Sequence, residues 1–326
     1  MRVLVTGGAG YIGSQTAKAL AQAGHEPIVY DDLSSGHRWA VKWGASVEGD
    51  LADTRLLATT LNAHRIEAIL HFAASIQVSE SVENPRKYFW NNVVNTLRLL
   101  DTALDEGVQA IVFSSSAAVY GIPQKVPIPE DHPTRPASPY GETKLMMERA
   151  LGAYGAAYGI RWVALRYFNA AGADESGEIG ELHDPETHLI PLALAAAAPG
   201  SAQLQVFGAD YPTPDGTCVR DYIHVNDLAD AHVRALQHLE TGGDSLALNL
   251  GTGRGHSVLE VIQAAEAATG CPVRRVMGPR RPGDPPVLVA DVAQSQKILG
   301  WQATRTLTEI VSSAWVWMQK GSSRSA

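Results

Sequence analysis

A glycine-rich turn between a short strand and a helix constrains the fold of this chain more than any other stretch. Residues 2–6 are mostly β-branched or apolar, and Gly7, Gly8, Gly10 and Gly13 follow them. Apolar residues then recur at helical spacing. Glycines let the backbone approach a pyrophosphate closely, and the pyrophosphate binds at the N-terminus of the helix. This order of strand, turn and helix therefore predicts a dinucleotide-binding βα unit.

A carboxylate at the end of the second predicted strand specifies the dinucleotide. Residues 27–30 predict that strand, and Asp31 follows it, 18 residues after Gly13. A carboxylate there accepts hydrogen bonds from the adenosine ribose and repels a 2′-phosphate. The sequence therefore favours NAD over NADP as cofactor.

Strands and helices alternate through the first half of the chain. Further strands are predicted at residues 46–50, 68–72, 110–113 and 162–167. One of the intervening helices is expected to open at Asn84 and Pro85 and to end at Gly107. The alternation predicts the α/β class, with a Rossmann-type doubly wound parallel sheet whose ligands bind beyond the carboxyl ends of the strands.

The pattern changes after residue 173. Residues 174–220 are rich in Gly, Pro, Asp and His and lack sustained periodicity. We expect residues 221–225 and 246–250 to be strands that return to the main sheet, with a helix between them. The predicted organisation is an NAD-binding Rossmann domain at 1–173, with returning segments near 221–250. A smaller, irregular α+β domain is predicted mainly from 174–326.

Tyr140 and Lys144 are four residues apart on a predicted helix, which places both side chains on one face. An ammonium beside a phenol favours the phenolate, so the tyrosine can act as an acid/base. Lowering the pKa of a phenol from about 10 to about 7 requires roughly 4 kcal/mol of differential stabilisation. We therefore expect a second positive charge nearby, and an oxidised nicotinamide ring would supply it.

Composition excludes several classes of function. The chain has 326 residues and a net charge of −8, which argues against broad nucleic-acid binding. Cys218 and Cys271 are too few for a disulfide framework and lack metal-ligand spacing, so we predict no metal site. The longest apolar run is too short to span a bilayer, and Arg2 already begins a strand, which leaves no room for a leader. These features predict a cytoplasmic protein.

Eight segments carry a resemblance that covers nearly the whole chain: VTGGAGYIGS, HFAA, ESVENP, FSSSAAVYG, SPYGETK, LRYFNAAGA, DGTCVRDYIHV and RRPGD. The sequence resembles the extended short-chain dehydrogenase/reductase superfamily and, within it, the UDP-glucose 4-epimerase family. The resemblance implies that Tyr140 is the catalytic acid/base. It also implies that Lys144 binds the nicotinamide ribose and tunes Tyr140, and that Ser116 hydrogen-bonds the sugar hydroxyl.

The resemblance also implies the two ligand-binding sets. The implied cofactor-binding residues are Gly7, Gly10, Tyr11, Ile12, Asp31, Asp50, Leu51, Phe72, Ala73, Asn91, Lys144 and Tyr167. The implied substrate-binding residues are Ser116, Tyr140, Asn169, His188, Leu189, Arg220, Arg281, Asp284 and Leu288.

Three positions depart from the family pattern. Ile76 stands where many members have a lysine near the cofactor, which implies looser NAD retention. His188 replaces an asparagine beside the sugar. Leu288 replaces a tyrosine, and its smaller side chain leaves room for a 2-acetamido group if it lines the sugar pocket. Alternatively, Leu288 packs an interface between the domains.

The resemblance implies reversible 4-epimerisation of a UDP-hexose through a transient 4-keto sugar, with NAD as cofactor, a homodimer and a place in galactose metabolism. Alternatives within the fold are a UDP-N-acetylhexosamine or UDP-pentose 4-epimerase and a nucleotide-sugar 4,6-dehydratase or decarboxylase. Related dehydratases carry acidic groups where this chain has Ala117 and Ala118, which disfavours that alternative. A non-catalytic NAD-sensing protein would not need Tyr140, Lys144 and Ser116 together.

Overall fold

The structure is a computed structural model that describes residues 1–281 and 283–321. Its main sheet has seven strands in the order β10-β6-β5-β4-β1-β2-β3, and every neighbouring pair is parallel. The predicted doubly wound α/β fold is confirmed. The strands are β1 (Arg2–Thr6), β2 (Glu26–Asp31), β3 (Ala45–Glu48), β4 (Ala68–His71), β5 (Ala110–Ser116), β6 (Arg161–Tyr167) and β10 (Leu246–Leu250).

Helices cover both faces of this sheet, because the side chains of its central strands are mostly apolar and none of them is exposed. One face packs against α1 (Tyr11–Gln22) and α8 (Val225–Glu240). The other packs against α2 (Thr54–Ala63), α5 (Asn95–Asp105) and α6 (Pro139–Tyr158).

The predicted start of a helix at Asn84 and Pro85 is confirmed, because Asn84 caps α4 (Pro85–Tyr88) by accepting from the Lys87 amide. The single helix predicted from there to Gly107 is wrong in detail: α4 leads into a π-helical segment (Phe89–Val94) before α5, and a further short helix, α3 (Val78–Glu83), precedes Asn84. The buried Asn92 side chain donates to the Ser75 carbonyl at 3.0 Å and to the Thr143 hydroxyl at 3.1 Å. These tertiary bonds accompany the wider π turn, and local helix signals do not encode them.

The second region holds two small sheets and a helical cluster. One sheet contains β7 (Asn169–Ala171), β9 (Val219–His224), β11 (Gly255–Ser257) and β13 (Val287–Leu288), and the other pairs β8 (Leu204–Phe207) with β12 (Arg275–Gly278). The remaining helices are α7 (Leu189–Ala197), α9 (Val258–Thr269), α10 (Ala293–Leu299) and α11 (Leu307–Gly321). Residues of α7, α9 and α11 share one apolar core.

Two predicted strands need correction. Residues 221–225 do not return to the main sheet, because β10 occupies the edge beside β6 and β9 pairs with β7, β11 and β13 instead. Residues 246–250 do return, as β10. The strand predicted at 46–50 ends at Glu48, so Asp50 and Leu51 lie in the turn that follows.

Of the predicted second domain, residues 282 and 322–326 lie outside the described part of the chain.

No helix within the described residues is long and apolar enough to cross a membrane.

Candidate functional site

The end of β5 supplies two side chains and one carbonyl to the candidate site. The Ser114 hydroxyl lies 2.8 Å from the Tyr167 hydroxyl at the end of the neighbouring β6. Ser116 caps the 3-10 turn that follows, accepting from the Ala118 amide at 3.1 Å. Parallel pairing of β5 with β6 therefore gathers these groups at one edge of the sheet.

A capped, tightly packed helix start brings Tyr140 to the same place. Ser138 caps α6 by accepting from the Gly141 amide at 3.2 Å, and Pro139 occupies the first turn. A Cβ atom on Gly141 would lie only 2.5 Å from the Ala118 carbonyl oxygen. The glycine therefore lets α6 approach the turn after Ser116, and the Ser116 side chain hydrogen-bonds Tyr140.

Lys144 is buried one turn further along α6. Its Nζ donates to the Ser114 carbonyl at 2.8 Å and lies 5.9 Å from the centroid of the Tyr140 ring. Burial lowers the pKa of Lys144 to about 7, against the opposing charge of Glu148. Glu148 itself pairs with Arg166, with Nη2 and Oε2 2.6 Å apart.

The protein alone does not lower the pKa of Tyr140. Burial raises that pKa, and the hydrogen bond from Ser116 only partly opposes the rise. The tuning of Tyr140 by Lys144 stays a prediction, since the Lys144 ammonium is itself desolvated and donates to the Ser114 carbonyl. The second positive charge expected from the sequence, that of an oxidised nicotinamide ring, is therefore the more important influence on the pKa of Tyr140.

The glycine turn fits a dinucleotide. Gly7 has φ +72°, and a Cβ there would lie 2.6 Å from the Ala73 amide nitrogen, while a Cβ on Gly13 would lie 2.2 Å from the Gly7 carbonyl oxygen. No side chain in the described ranges caps the N-terminus of α1 at Gly10, so its amides are available to a pyrophosphate. The Asp31 carboxylate is fixed beside the turn by the Ala9 and Leu33 amides, each at 2.9 Å.

Most of the other cofactor positions lie along the same edge of the sheet. Phe72 and Ala73 follow β4, and their amides donate to the Thr6 carbonyl at 2.9 and 3.1 Å. Asp50 and Leu51 follow β3, and Asn91 bonds Ser75 from the π-helical segment at 3.2 Å. The remaining positions are placed by α1 and β6: Tyr11 begins α1 and donates to the Gly172 carbonyl, Ile12 packs on the main core, and Tyr167 ends β6. Ile76 is exposed, and its proposed effect on NAD retention stays a prediction.

Apart from Ser116 and Tyr140, the predicted substrate positions lie in the second region. Asn169 begins β7, His188 precedes Leu189 at the start of α7, and Arg220 in β9 pairs in register with Leu288 in β13. Arg220 and Asp284 form an ion pair, and the Arg281 guanidinium lies 4.0 Å from the Phe207 ring centroid. Leu288 lies in the short strand β13 and packs against a small apolar cluster of Ala117, Val119, Tyr120, Ile128 and Leu145.

Sequence reasoning missed the network that supports Lys144. The Ser115 hydroxyl donates to Glu148 at 2.6 Å, and Arg166 reaches the same carboxylate. Glu148 is four residues after Lys144, so helical spacing could have identified it. The reasoning also missed a cluster of Glu181, His183, Glu186 and His188, whose ligand atoms lie within 4.8 Å of one another.

A dinucleotide-binding turn beside a Ser-Tyr-Lys group places this protein in the class of NAD-dependent epimerases and dehydratases. Residues 3–251 match the NAD dependent epimerase/dehydratase family. The chain belongs to that family, and NAD is its cofactor.

Within the family, the chain is similar to UDP-glucose 4-epimerases. The one from Rhizobium meliloti (strain 1021) is 53% identical over 315 residues, which cover 97% of this chain and 96% of the relative. The crystal structure of the Brucella ovis enzyme in complex with NAD has a TM-score of 0.94 and 53% identity, covering 96% of this chain and 97% of that one. The Stenotrophomonas maltophila enzyme, with bound NAD and formylated UDP-arabinopyranose, has a TM-score of 0.96 and 45% identity over the whole of both chains.

Proposed function

We propose that this protein is an NAD-dependent UDP-glucose 4-epimerase that interconverts UDP-glucose and UDP-galactose through a transient 4-keto sugar. The observation that carries the proposal is the assembly of Ser116, Tyr140 and Lys144 beside the glycine turn. The similar enzymes named above support the choice of reaction and of UDP-sugar.

The catalytic roles follow from position and charge. Tyr140 removes the proton of the sugar 4-hydroxyl and later returns it, and Ser116 orients that hydroxyl through a hydrogen bond. Lys144 holds the nicotinamide ribose and adds positive charge near the phenol. The glycine turn, Asp31 and Lys144 would hold NAD, which would supply reversible hydride transfer at C4 and, through its oxidised ring, the second positive charge.

Epimerisation requires a sugar that can turn over within its pocket, so the enzyme must hold the substrate by its other end. Arg220 and Arg281 stand in the second region, and guanidinium groups bind phosphate oxygens through paired hydrogen bonds. We assign the diphosphate to these two arginines. Asp284 orients Arg220 through their ion pair, and Asn169, His188, Leu189 and Leu288 complete the substrate site.

An isotope experiment tests the reaction. Purified protein is incubated with UDP-[4-²H]glucose, with and without added NAD. We expect UDP-galactose that retains deuterium at C4, and no steady accumulation of NADH, because the same hydride returns to the same carbon. Loss of the label to water would contradict this route, and a dehydrated or decarboxylated product would favour the alternatives.

We also assign the protein to the cytoplasm and infer that it is a homodimer. Trp90, Met146 and Tyr158 are large apolar side chains that remain exposed on the π-helical segment and α6. An exposed apolar surface of this kind fits a second copy of the chain. Light scattering coupled to gel filtration measures the mass, and a monomeric mass at micromolar concentration would contradict the dimer.

A further inference from the structure

A group of four metal-ligand side chains lies outside the Ser-Tyr-Lys group. Glu181, His183, Glu186 and His188 occur within eight residues and fold so that one donor atom of each faces the others. His188 Nδ1 lies 2.7 Å from Glu181 Oε1 and 3.1 Å from Glu186 Oε1. His183 Nδ1 lies 3.2 Å from Glu181 Oε1 and 3.7 Å from Glu186 Oε2.

Two of these donor atoms have no ordinary hydrogen bond. Glu181 Oε1 and His183 Nδ1 are both buried, and neither makes a hydrogen bond of normal geometry to any residue that the structure describes. The Glu181 side chain is only 6% exposed, so water does not compensate for this deficit. A buried carboxylate oxygen without a hydrogen bond costs free energy unless a cation faces it.

We propose that Glu181, His183, Glu186 and His188 form a binding site for a divalent transition-metal cation, with Zn²⁺ as the expected occupant. Tetrahedral zinc with bonds of about 2.1 Å separates its ligand atoms by about 3.4 Å. The four Nδ1–carboxylate distances, from 2.7 to 3.7 Å, bracket that separation. Two imidazole nitrogens favour Zn²⁺ over Mg²⁺ and Ca²⁺, which prefer oxygen ligands alone.

The position of the site indicates what it does. Residues 178–188 lie against the start of α1, where the Tyr11 ring centroid is 6.4 Å from that of His183 and Gln15 donates to the Ile179 carbonyl at 3.3 Å. His188 also precedes the first residue of α7. A bound cation would join the start of α7 to the helix that follows the glycine turn, and would thereby stabilise the folded protein.

The test uses full-length protein stripped with EDTA and then equilibrated with ZnCl₂ or CoCl₂. After gel filtration we expect one zinc per chain by mass spectrometry, and visible absorption bands typical of tetrahedral Co²⁺. Zn²⁺ should raise Tm by about 4 °C at 100 times its Kd. Zinc that is lost from the wild type on gel filtration, with no cobalt bands, would overturn the proposal.

Variants locate the site. His183→Ala and the nearly isosteric Glu181→Gln should each weaken zinc binding roughly 100-fold or more, since even outer-shell changes cost 10–100-fold. Glu178→Gln is the matched control, because Glu178 lies on the same segment but pairs with Lys18 and Lys42 at the surface. Circular dichroism in EDTA establishes that each variant is folded. Equal zinc retention by wild type and Glu181→Gln would place the metal elsewhere and overturn the assignment.

Discussion

At the scale of single residues, the site depends on two buried groups, Tyr140 and Lys144, whose charged forms burial disfavours. Burial raises the pKa of Tyr140 and lowers that of Lys144 to about 7. The Ser116 hydroxyl and the Ser114 carbonyl hold these two side chains in place. The protein therefore positions the proposed acid/base, and we expect the charge of oxidised NAD to complete its activation.

Tyr140→Phe should remove the acid/base without disturbing the fold. We expect turnover of UDP-glucose to fall by about 10³-fold, in the range for loss of general acid/base catalysis. Tyr88→Phe is the control, because the Tyr88 ring stands edge-on to Tyr140 while its hydroxyl donates to Glu80. A Tyr140→Phe protein with a tenth of wild-type turnover would exclude Tyr140 from the reaction.

Lys144→Met should abolish turnover but stabilise the apoprotein at neutral pH. The folded-state pKa of Lys144 is lowered from 10.5 to about 7, so its destabilising effect is complete below about pH 7 and disappears as pH rises towards 10.5. The advantage of methionine in urea unfolding should therefore shrink by about 2 kcal/mol between pH 7 and pH 9. The exposed Lys87→Met variant should show no such trend, and a pH-independent difference would contradict burial as the cause.

Leu288→Tyr should discriminate between substrates. Leu288 packs against the apolar cluster that includes Ala117 and Val119, two residues of the turn that follows Ser116. If it borders the space for the sugar 2-substituent, the larger tyrosine should reduce turnover of UDP-N-acetylglucosamine far more than that of UDP-glucose. Equal losses on both substrates, measured in parallel assays, would leave Leu288 as a packing residue.

At the scale of elements, the site requires α6 to lie unusually close to the end of β5. The approach depends on Gly141, whose missing side chain faces the Ala118 carbonyl. The same helix contains Gly152, where a Cβ would meet the Trp162 ring at an ordinary 3.8 Å. Close packing therefore requires a glycine at position 141 but not at position 152, although both lie on α6.

Gly141→Ala should displace Tyr140 from Ser116. We expect a destabilisation of about 1–3 kcal/mol, as for overpacking in a core, with a turnover loss larger than stability explains. Gly152→Ala should instead stabilise the protein by roughly 0.5–1 kcal/mol, because alanine is the better helix former. Thermal unfolding and initial rates measure both, and unaltered turnover in folded Gly141→Ala protein would contradict the requirement.

At the scale of the whole molecule, a buried carboxylate joins the two regions. Asp227, in the first turn of α8, accepts from the Thr304 amide at 3.1 Å and from the Arg305 amide at 3.0 Å. It also pairs with the Arg305 guanidinium, which in turn reaches Glu175. The segment that leads into α11 is thereby fixed to a helix of the main sheet.

Asp227→Ala should therefore destabilise the entire protein. We expect a loss of about 3 kcal/mol, because the buried Asp227 is removed, its pairing with the partly buried Arg305 is broken and two amides lose their acceptor. Asp230→Ala is the matched control on the same helix, since Asp230 is half exposed and pairs only with Arg234 among the described residues. It should change stability by less than about 1 kcal/mol. Similar losses in urea unfolding would show that Asp227 has no special role.

The sequence by itself determined the features that depend on the spacing of residues close together in the chain. The glycine turn, Asp31 after β2, the alternation of strands and helices, and the pairing of Tyr140 with Lys144 all depend on residues close together in the chain. Their periods and turn requirements can be read without knowing what lies opposite. The parallel, doubly wound character of the main sheet followed from the same alternation.

Tertiary structure decided what depends on residues far apart in the chain. Whether residues 219–224 join the main sheet depended on β10, which occupies the edge beside β6. The pKa of Lys144 depended on its burial against β5, and the pairing of Glu148 with Arg166 joined a helix to a strand. The donor cluster at Glu181 depended on how an irregular segment folds against α1. In each case the outcome depends on the free energy of packing and desolvation between distant segments, which the spacing of residues along the chain does not specify.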